Sequence, residues 1–330
     1  MEKFIDCADK GLIEASYAKS SWSKHCSAFK CVEKFEIDRT WKCNWPMTLE
    51  DICKFTSWAL QTKKLQSTTV KSYLSSIKIV HELANVNYNG DCQVVKSLLR
   101  GRENLDRYES KSKNSRKVMT LSLLRVIGNQ IAKTEWSNDS KLTVWGACTT
   151  AFFGALRFGE ILPQKSHDYC EMETLLWNDL KFRSDGSVLM HIKLDKVRNM
   201  KGSFIDIFEF PLAGCCPVKT LNQMRETKFN SNSPVFQFKS GKNLCSAQLN
   251  TILQKLLCPI IGPAAYQISG HSFRAGLPSA MASKPDLAND KDIKAWGRWS
   301  SDSYLLYTRL KHKQKKALFE KIISVLETKK

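Results

Sequence analysis

Long apolar runs are missing from this sequence: nowhere in its 330 residues do about 18 apolar residues follow one another, the length a helix needs to cross a bilayer. The opening stretch MEKFIDCADKGLIEAS also lacks the charged-then-apolar order of a secretory signal. The expectation is a soluble, intracellular protein with no membrane partner. Paired metal-binding cysteines are missing too. The twelve cysteines are scattered, none forms a CxxC, and none stands with a His pair at zinc spacing, so reduced and mostly buried thiols are expected. Cys215 and Cys216 are adjacent, where a disulfide is strained, and they are expected to be free. No GxxxxGK[ST] occurs, so nothing announces a nucleoside triphosphate. No metal and no cofactor is expected.

Acidic residues are in short supply: 32 Asp and Glu face 51 Lys and Arg, a formal net charge of +19. Such an excess implies a polyanionic partner, because neutralising phosphates releases their counterions and drives nucleic-acid binding. Both halves carry it, with 21 basic against 14 acidic residues through Lys117 and 30 against 18 after it. A hydrophobic content of 42% excludes a disordered chain, and the length suits two domains with separate cores.

The first hundred residues read as helices. SWSKHCSAFKCVEKFEI sets Trp22, Cys26, Phe29 and Val32 or Glu33 at helical spacing. After Pro46, Thr48 and Asp51 resemble a capping box with a shorter acid, opening a helix whose buried face is Ile52, Phe55, Trp58 and Ala59. Ser67 or Thr68 opens the next, with Val70, Tyr73, Leu74, Ile77 and Val80 or His81 as its apolar stripe and Lys71 and Lys78 on its polar face. CQVVKSLLRGREN is a further short helix. LDRYESKSKNSRKV then turns polar and charged, as a linker does. The expected organisation is a helical domain over 1–104, a linker over 105–117, a second domain over 118–310, and a basic tail with an amphipathic helix over 311–330.

In the second domain, LSLLRVIGNQIAK and SKLTVWGACTTAFFGALRFGEIL read as helices, the latter buried on most sides with Arg157 and Glu160 at its end. An Arg in apolar surroundings must be paired, and Glu160 is the near partner. Three strand-like runs follow, TLLWNDLKF, SVLMHIKLDKV and SFIDIFEFPL, suggesting a small antiparallel sheet. Lys196 ends the second run. A helix entered through Pro217, an extended piece turning at Gly241 and another helix lead to ISGHSFRAGLPSAM. There His271 and Arg274 stand three apart, the spacing that puts an imidazole and a guanidinium on one helical face. Arg offers a fixed fork of donors suited to phosphate, and His donates, accepts or relays a proton near neutral pH. Pro278 follows Arg274 by four residues, so the helix must kink or restart near Gly276. Trp299 comes next, then Tyr304 and Tyr307.

The order Arg157, Lys196, His271, Arg274, Trp299, Tyr307 resembles the tyrosine recombinase (integrase) family, and GRWSSDSYLLYTR is most similar to members encoded by eukaryotic mobile elements of the Crypton, DIRS and Ngaro kinds. The motif core covers about half the chain. The resemblance implies a mainly α fold with a small antiparallel β-sheet: an N-terminal helical core-binding domain and a C-terminal α+β catalytic domain that clamp double-stranded DNA. It implies that Arg157, Arg274, His271 and Trp299 hold the scissile phosphate, with Glu160 behind Arg157. A lysine of the β-hairpin protonates the leaving 5′ oxygen, and Tyr307 attacks to give a 3′-phosphotyrosyl link. The family's Ser-Lys-Thr phrase is replaced by Asp195-Lys196-Val197, which keeps Lys201 in the turn as a competitor to Lys196. The Trp-to-Tyr spacing favours Tyr307 over Tyr304.

Lys71, Lys78, Lys111, Lys113, Arg116, Lys117, Arg198 and Lys201 are further candidate DNA contacts, with a solvated charged face as the plainer reading of Lys71 and Lys78 and a merely soluble linker as the other reading of Lys111, Lys113, Arg116 and Lys117. The resemblance also implies a homo-oligomer, a dimer on one site and a tetramer on paired sites, with the tail helix docking on its own domain or on a neighbour. In a eukaryotic host the protein is expected in the nucleus. Two other classes fit the same motifs: a DNA-binding protein that has lost activity, and an enzyme of the type IB topoisomerase kind, distinguished by relaxing a single circle without recombining paired sites.

Overall fold

The computed structural model describes residues 11–12, 16–17, 19–109, 117–193, 202–210, 214–228, 230–283 and 288–299. The chain divides into two compact units, Met1–Lys113 and Asn114–Lys330.

The described elements of the first unit are the helices α1 (Lys19–Arg39), α2 (Leu49–Gln61), α3 (Ser67–Leu83) and α4 (Gln93–Glu109). Helix α4 continues past Asn104, the residue after which the sequence suggests a linker. At the start of α2 the Thr48 hydroxyl accepts from the Asp51 amide at 3.2 Å and the Asp51 carboxylate accepts from the Thr48 amide at 3.0 Å, the reciprocal pairing read from the sequence. The Asp51 carboxylate also accepts from Trp41 Nε1 at 2.8 Å and from the Asn44 amide at 3.2 Å, so one side chain joins the cap to the preceding loop. Ile52, Phe55, Trp58 and Ala59 are buried as their spacing requires, and Phe35 of α1 meets the Phe55 and Trp58 rings at 5.8 and 5.4 Å. The buried stripe of α1 is Ala28, Val32 and Phe35; of the residues read at helical spacing Val32 is buried, Trp22 and Phe29 are half-buried and Cys26 is exposed.

The second unit is built on α5 (Leu121–Lys133) and α6 (Asn138–Phe153). The Thr120 and Ser137 hydroxyls cap them by accepting from the Leu123 and Ser140 amides. Helix α6 is buried from Thr143 through Phe152 on nearly every side. At Gly146 an added Cβ would meet Met224 Sδ of the helix α8 (Pro217–Lys228), so glycine permits that close approach.

The sequence pattern extends α6 to Arg157 and Glu160; the structure corrects this. The helix stops at Phe153, Ala155 turns left-handed at φ +48°, and a separate one-turn helix, α7 (Phe158–Ile161), begins after Arg157. A contact just beyond the stop accounts for it: Arg157 takes an extended backbone so that its amide reaches the Glu160 carboxylate at 2.7 Å.

A three-stranded antiparallel sheet comes next, in the order β1 (Leu180–Phe182), β2 (Val188–Ile192), β3 (Ser203–Ile207), as the strand-like runs predicted. Met190 pairs Leu180 on one side and Ile205 on the other, and Val188, Met190 and Ile192 alternate into the core. Helix α8 is entered through Pro217, the chain turns at Gly241, and α9 (Ser246–Ile261) leads to α10 (Gly270–Arg274), α11 (Gly276–Ala282) and α12 (Asp290–Gly297). The break between α10 and α11 falls where the Pro278 ring forbids a regular helix. Cys215 and Cys216 are buried free thiols, and the cysteines among the described residues are all free.

Candidate active site

The short helix α7 exists to hold one carboxylate. Glu160, 5% exposed, accepts from the Arg157 amide on Oε2 at 2.7 Å and from Arg157 Nη1 on Oε1 at 2.9 Å. Arg274 reaches the same group from α10, its Nη1 lying 3.2 Å from Oε1 and 3.3 Å from Oε2. Arg298, just past the end of α12, places Nη2 3.2 Å from Oε2. Three guanidiniums therefore converge on one buried carboxylate. Like charges at this distance repel strongly in a low-dielectric interior, and Glu160 is what gathers them.

The three arginines differ in reach. Arg274 is 3% exposed, and it also donates to the Ala155 carbonyl at 3.3 Å and to the Gly297 carbonyl at 2.8 Å. These bonds tie α10 to the turn after α6 and to the end of α12. The Arg157 side chain keeps 29% of its surface exposed, so its guanidinium faces solvent while its inner edge is held. Trp299 is half-buried with its ring centre 5.5 Å from the Arg274 guanidinium carbon. Gly297 makes room for that ring, since a Cβ there would overlap it.

His271 begins the same short helix as Arg274, yet it is exposed where Arg274 is buried. The shared face read from their spacing is thus split between surface and interior. Lys196, Arg198 and Lys201 lie outside the described residues, as do Tyr304, Tyr307, Lys111, Lys113, Arg116 and the tail helix. Lys193, at the end of β2, is engaged by Asp179 at 2.8 Å and by the Glu171 carbonyl at 2.8 Å. In the first unit Lys71 pairs with Glu103 at 2.6 Å and Lys78 with Asp91 at 3.3 Å. Both pairs are exposed, and exposed ion pairs are weak, so either lysine is able to exchange its acid for another anion. Lys117 is exposed.

Arg298 is the residue the sequence reading passed over. Its one signal was adjacency to Trp299 in GRW; nothing local announces that it meets a carboxylate 138 residues earlier.

No family model matches the sequence, and no curated protein matches it. Solved structures do. The chain is similar to the Tn1549 transposon integrase in complex with transposon right end DNA, at 12% identity over 96% of this chain and 98% of that one, with a TM-score of 0.63. It is similar to lambda integrase bound to DNA, at 14% identity over 93% and 94% of the two chains, TM-score 0.56. The XerH site-specific recombinase bound to palindromic difH substrate matches at 17% identity over 84% and 71%, TM-score 0.51. The chain has the fold of the tyrosine recombinases and integrases, mostly helical with one small antiparallel sheet.

Proposed function

We propose that this protein is a DNA strand transferase that cleaves and rejoins duplex DNA through a tyrosine. The observation that carries the reading is the gathering of Arg157 and Arg274 on buried Glu160 with Trp299 beside them, in a fold whose solved examples are named as integrases and recombinases on DNA. The net charge of +19 supports a DNA partner.

A phenol is almost wholly protonated at neutral pH and a phosphodiester is a poor electrophile, so both need help. Arg157 offers its exposed guanidinium to a non-bridging oxygen, and Arg274 adds fixed positive charge behind it as negative charge grows on the phosphorane. His271, at the surface and three residues before Arg274, takes the phenol proton of Tyr307. The phenol oxygen bonds to phosphorus, the bond to the 5′ oxygen breaks, and Lys196, with Lys201 as the alternative, gives that oxygen its proton. A 5′-hydroxyl of another strand reverses the step. One phosphoester replaces another, so no nucleotide hydrolysis is required, and the guanidiniums supply the charge stabilisation that a metal supplies elsewhere. In this reading the protein works as a tetramer on paired sites, mobilising an element of the Crypton, DIRS or Ngaro kind in a eukaryotic nucleus. Lys71, Lys78 and Lys117 are DNA contacts along the way.

The test is a nicked duplex from the ends of the presumed element, incubated with the protein in EDTA and resolved on a denaturing gel. A covalent adduct is expected, absent in Tyr307→Phe and retained in Tyr304→Phe. Absence of any adduct on a duplex the protein binds would sink the proposal in favour of a DNA-binding protein without activity. Relaxation of single supercoiled circles without recombination of paired sites would move it to the topoisomerase class.

A further inference from the structure

We infer that Arg298 is a positioning residue for strand cleavage, holding the end of α12, and with it the Trp299 ring, against the arginine pair. The inference rests on the strand-transfer reading above. Two independent observations lead to it. The first is the contact itself: Arg298 Nη2 lies 3.2 Å from Glu160 Oε2, on the carboxylate that also holds Arg157 and Arg274, while the carbonyl of the preceding residue, Gly297, accepts from Arg274 at 2.8 Å. The chain entering Trp299 is thereby fastened at two consecutive residues, once through a side chain and once through the backbone.

The second observation is the backbone of Arg298. It closes α12 in the left-handed conformation, φ +51° and ψ +46°, with its amide bonded to the Ala295 carbonyl at 3.1 Å. Helices commonly end this way on glycine or asparagine, because a side chain there crowds the following carbonyl. An arginine at this position works against local preference. The conformation turns its long side chain, only 11% exposed, back toward Glu160. A residue kept against its own backbone preference is best accounted for by what its side chain does.

Among the described residues, the side-chain partner of Arg298 is Glu160, not a residue assigned to the phosphate. Arg298 acts through Glu160 and through the path of the chain, and the guanidinium that faces solvent is that of Arg157. Glu160 keeps Arg157 and Arg274 as partners when Arg298 is replaced, so the site does not lose its carboxylate.

This separates a positioning role from a structural one. Arg298→Gly relieves the backbone and removes the tether, whereas Arg298→Lys keeps a charge able to reach Glu160. Adduct formation on the nicked duplex, duplex Kd and Tm are measured for wild type and both variants. The expected result is cleavage slowed on the order of 100-fold in Arg298→Gly, as misplacement of reacting groups produces, with Tm not lowered and Kd unchanged, and an intermediate rate in Arg298→Lys. Cleavage by Arg298→Gly at the wild-type rate would overturn the inference, and so would a rate that falls only together with Tm and Kd. The wild-type lane is read first: if it shows no adduct, the strand-transfer reading itself has failed and this inference goes with it.

Discussion

Arg274 donates to the carbonyl of Gly297 at 2.8 Å, a bond between residues 23 apart in the chain and on different helices. With the Glu160 contacts it makes one unit of α7, α10 and the end of α12.

Replacing Glu160 by alanine takes the countercharge away from the buried Arg274 guanidinium. Removing one partner of a buried pair costs about 3–5 kcal/mol. Glu160→Ala is expected to lose stability on that scale in urea unfolding, and Glu160→Gln, which retains the acceptor oxygen, markedly less. Equal stability of wild type and Glu160→Ala would show that the carboxylate does not hold the site together.

Arg157 is held by Glu160 on one edge and open on the other. Lysine preserves the charge but not the fork that engages carboxylate and phosphate together. Arg157→Lys is therefore expected to form adduct about 100-fold more slowly, the scale seen when one transition-state donor is removed, with duplex Kd little changed. A rate within about twofold of wild type would argue that the guanidinium geometry is not used.

Gly297 sits under the Trp299 ring, and a methyl group there overlaps it. Gly297→Ala should push the indole off Arg274 and slow adduct formation by about tenfold, although alanine is the better helix former. Gly159→Ala is the control, since a Cβ at Gly159 meets nothing within 4 Å. Similar behaviour of the two variants would remove Trp299 packing from the account.

In the first unit, burial alone would raise the Asp51 carboxyl, but hydrogen bonds from Thr48, Trp41 and Asn44 outweigh it and hold the carboxyl below its ordinary value. A carboxyl depressed on folding contributes stability above its unfolded pKa of about 4 and loses it as pH falls through the lower folded value. Asp51→Asn is expected to cost about 1–2 kcal/mol near neutral pH, the usual contribution of a good cap. The gap between wild type and variant should close as the titration enters the acid range below pH ~4. A gap independent of pH, measured by chemical denaturation across that range, would mean that the ionised form is not what the cap uses.

How much of this fold and site is legible in the sequence depends on the range of the interactions involved. The capping box of α2 needs Thr48 and Asp51, three residues apart, and it reads directly from the chain. So do the buried face of α2, the three strands and the break before Pro278, because a pattern of two or of 3.6 residues and the shape of one ring impose them locally. The stripe of α1 reads correctly at Val32 but not at Cys26, which looks apolar wherever it faces; only packing against neighbouring helices, such as that of Phe35 on Phe55 and Trp58 of α2, chooses Ala28 and Phe35.

The sequence by itself determined the helical and strand elements, the excess of positive charge, and the set of arginine, histidine and tryptophan side chains proposed to hold a phosphate. Tertiary structure alone decided that α6 ends at Phe153, that Arg274 is buried while His271 is exposed, and that Arg298 joins Arg157 and Arg274 on Glu160. The reason is physical. Propensity and periodicity act over a few residues, whereas the placement of a buried charge is chosen by whichever countercharge the whole fold brings within hydrogen-bonding distance.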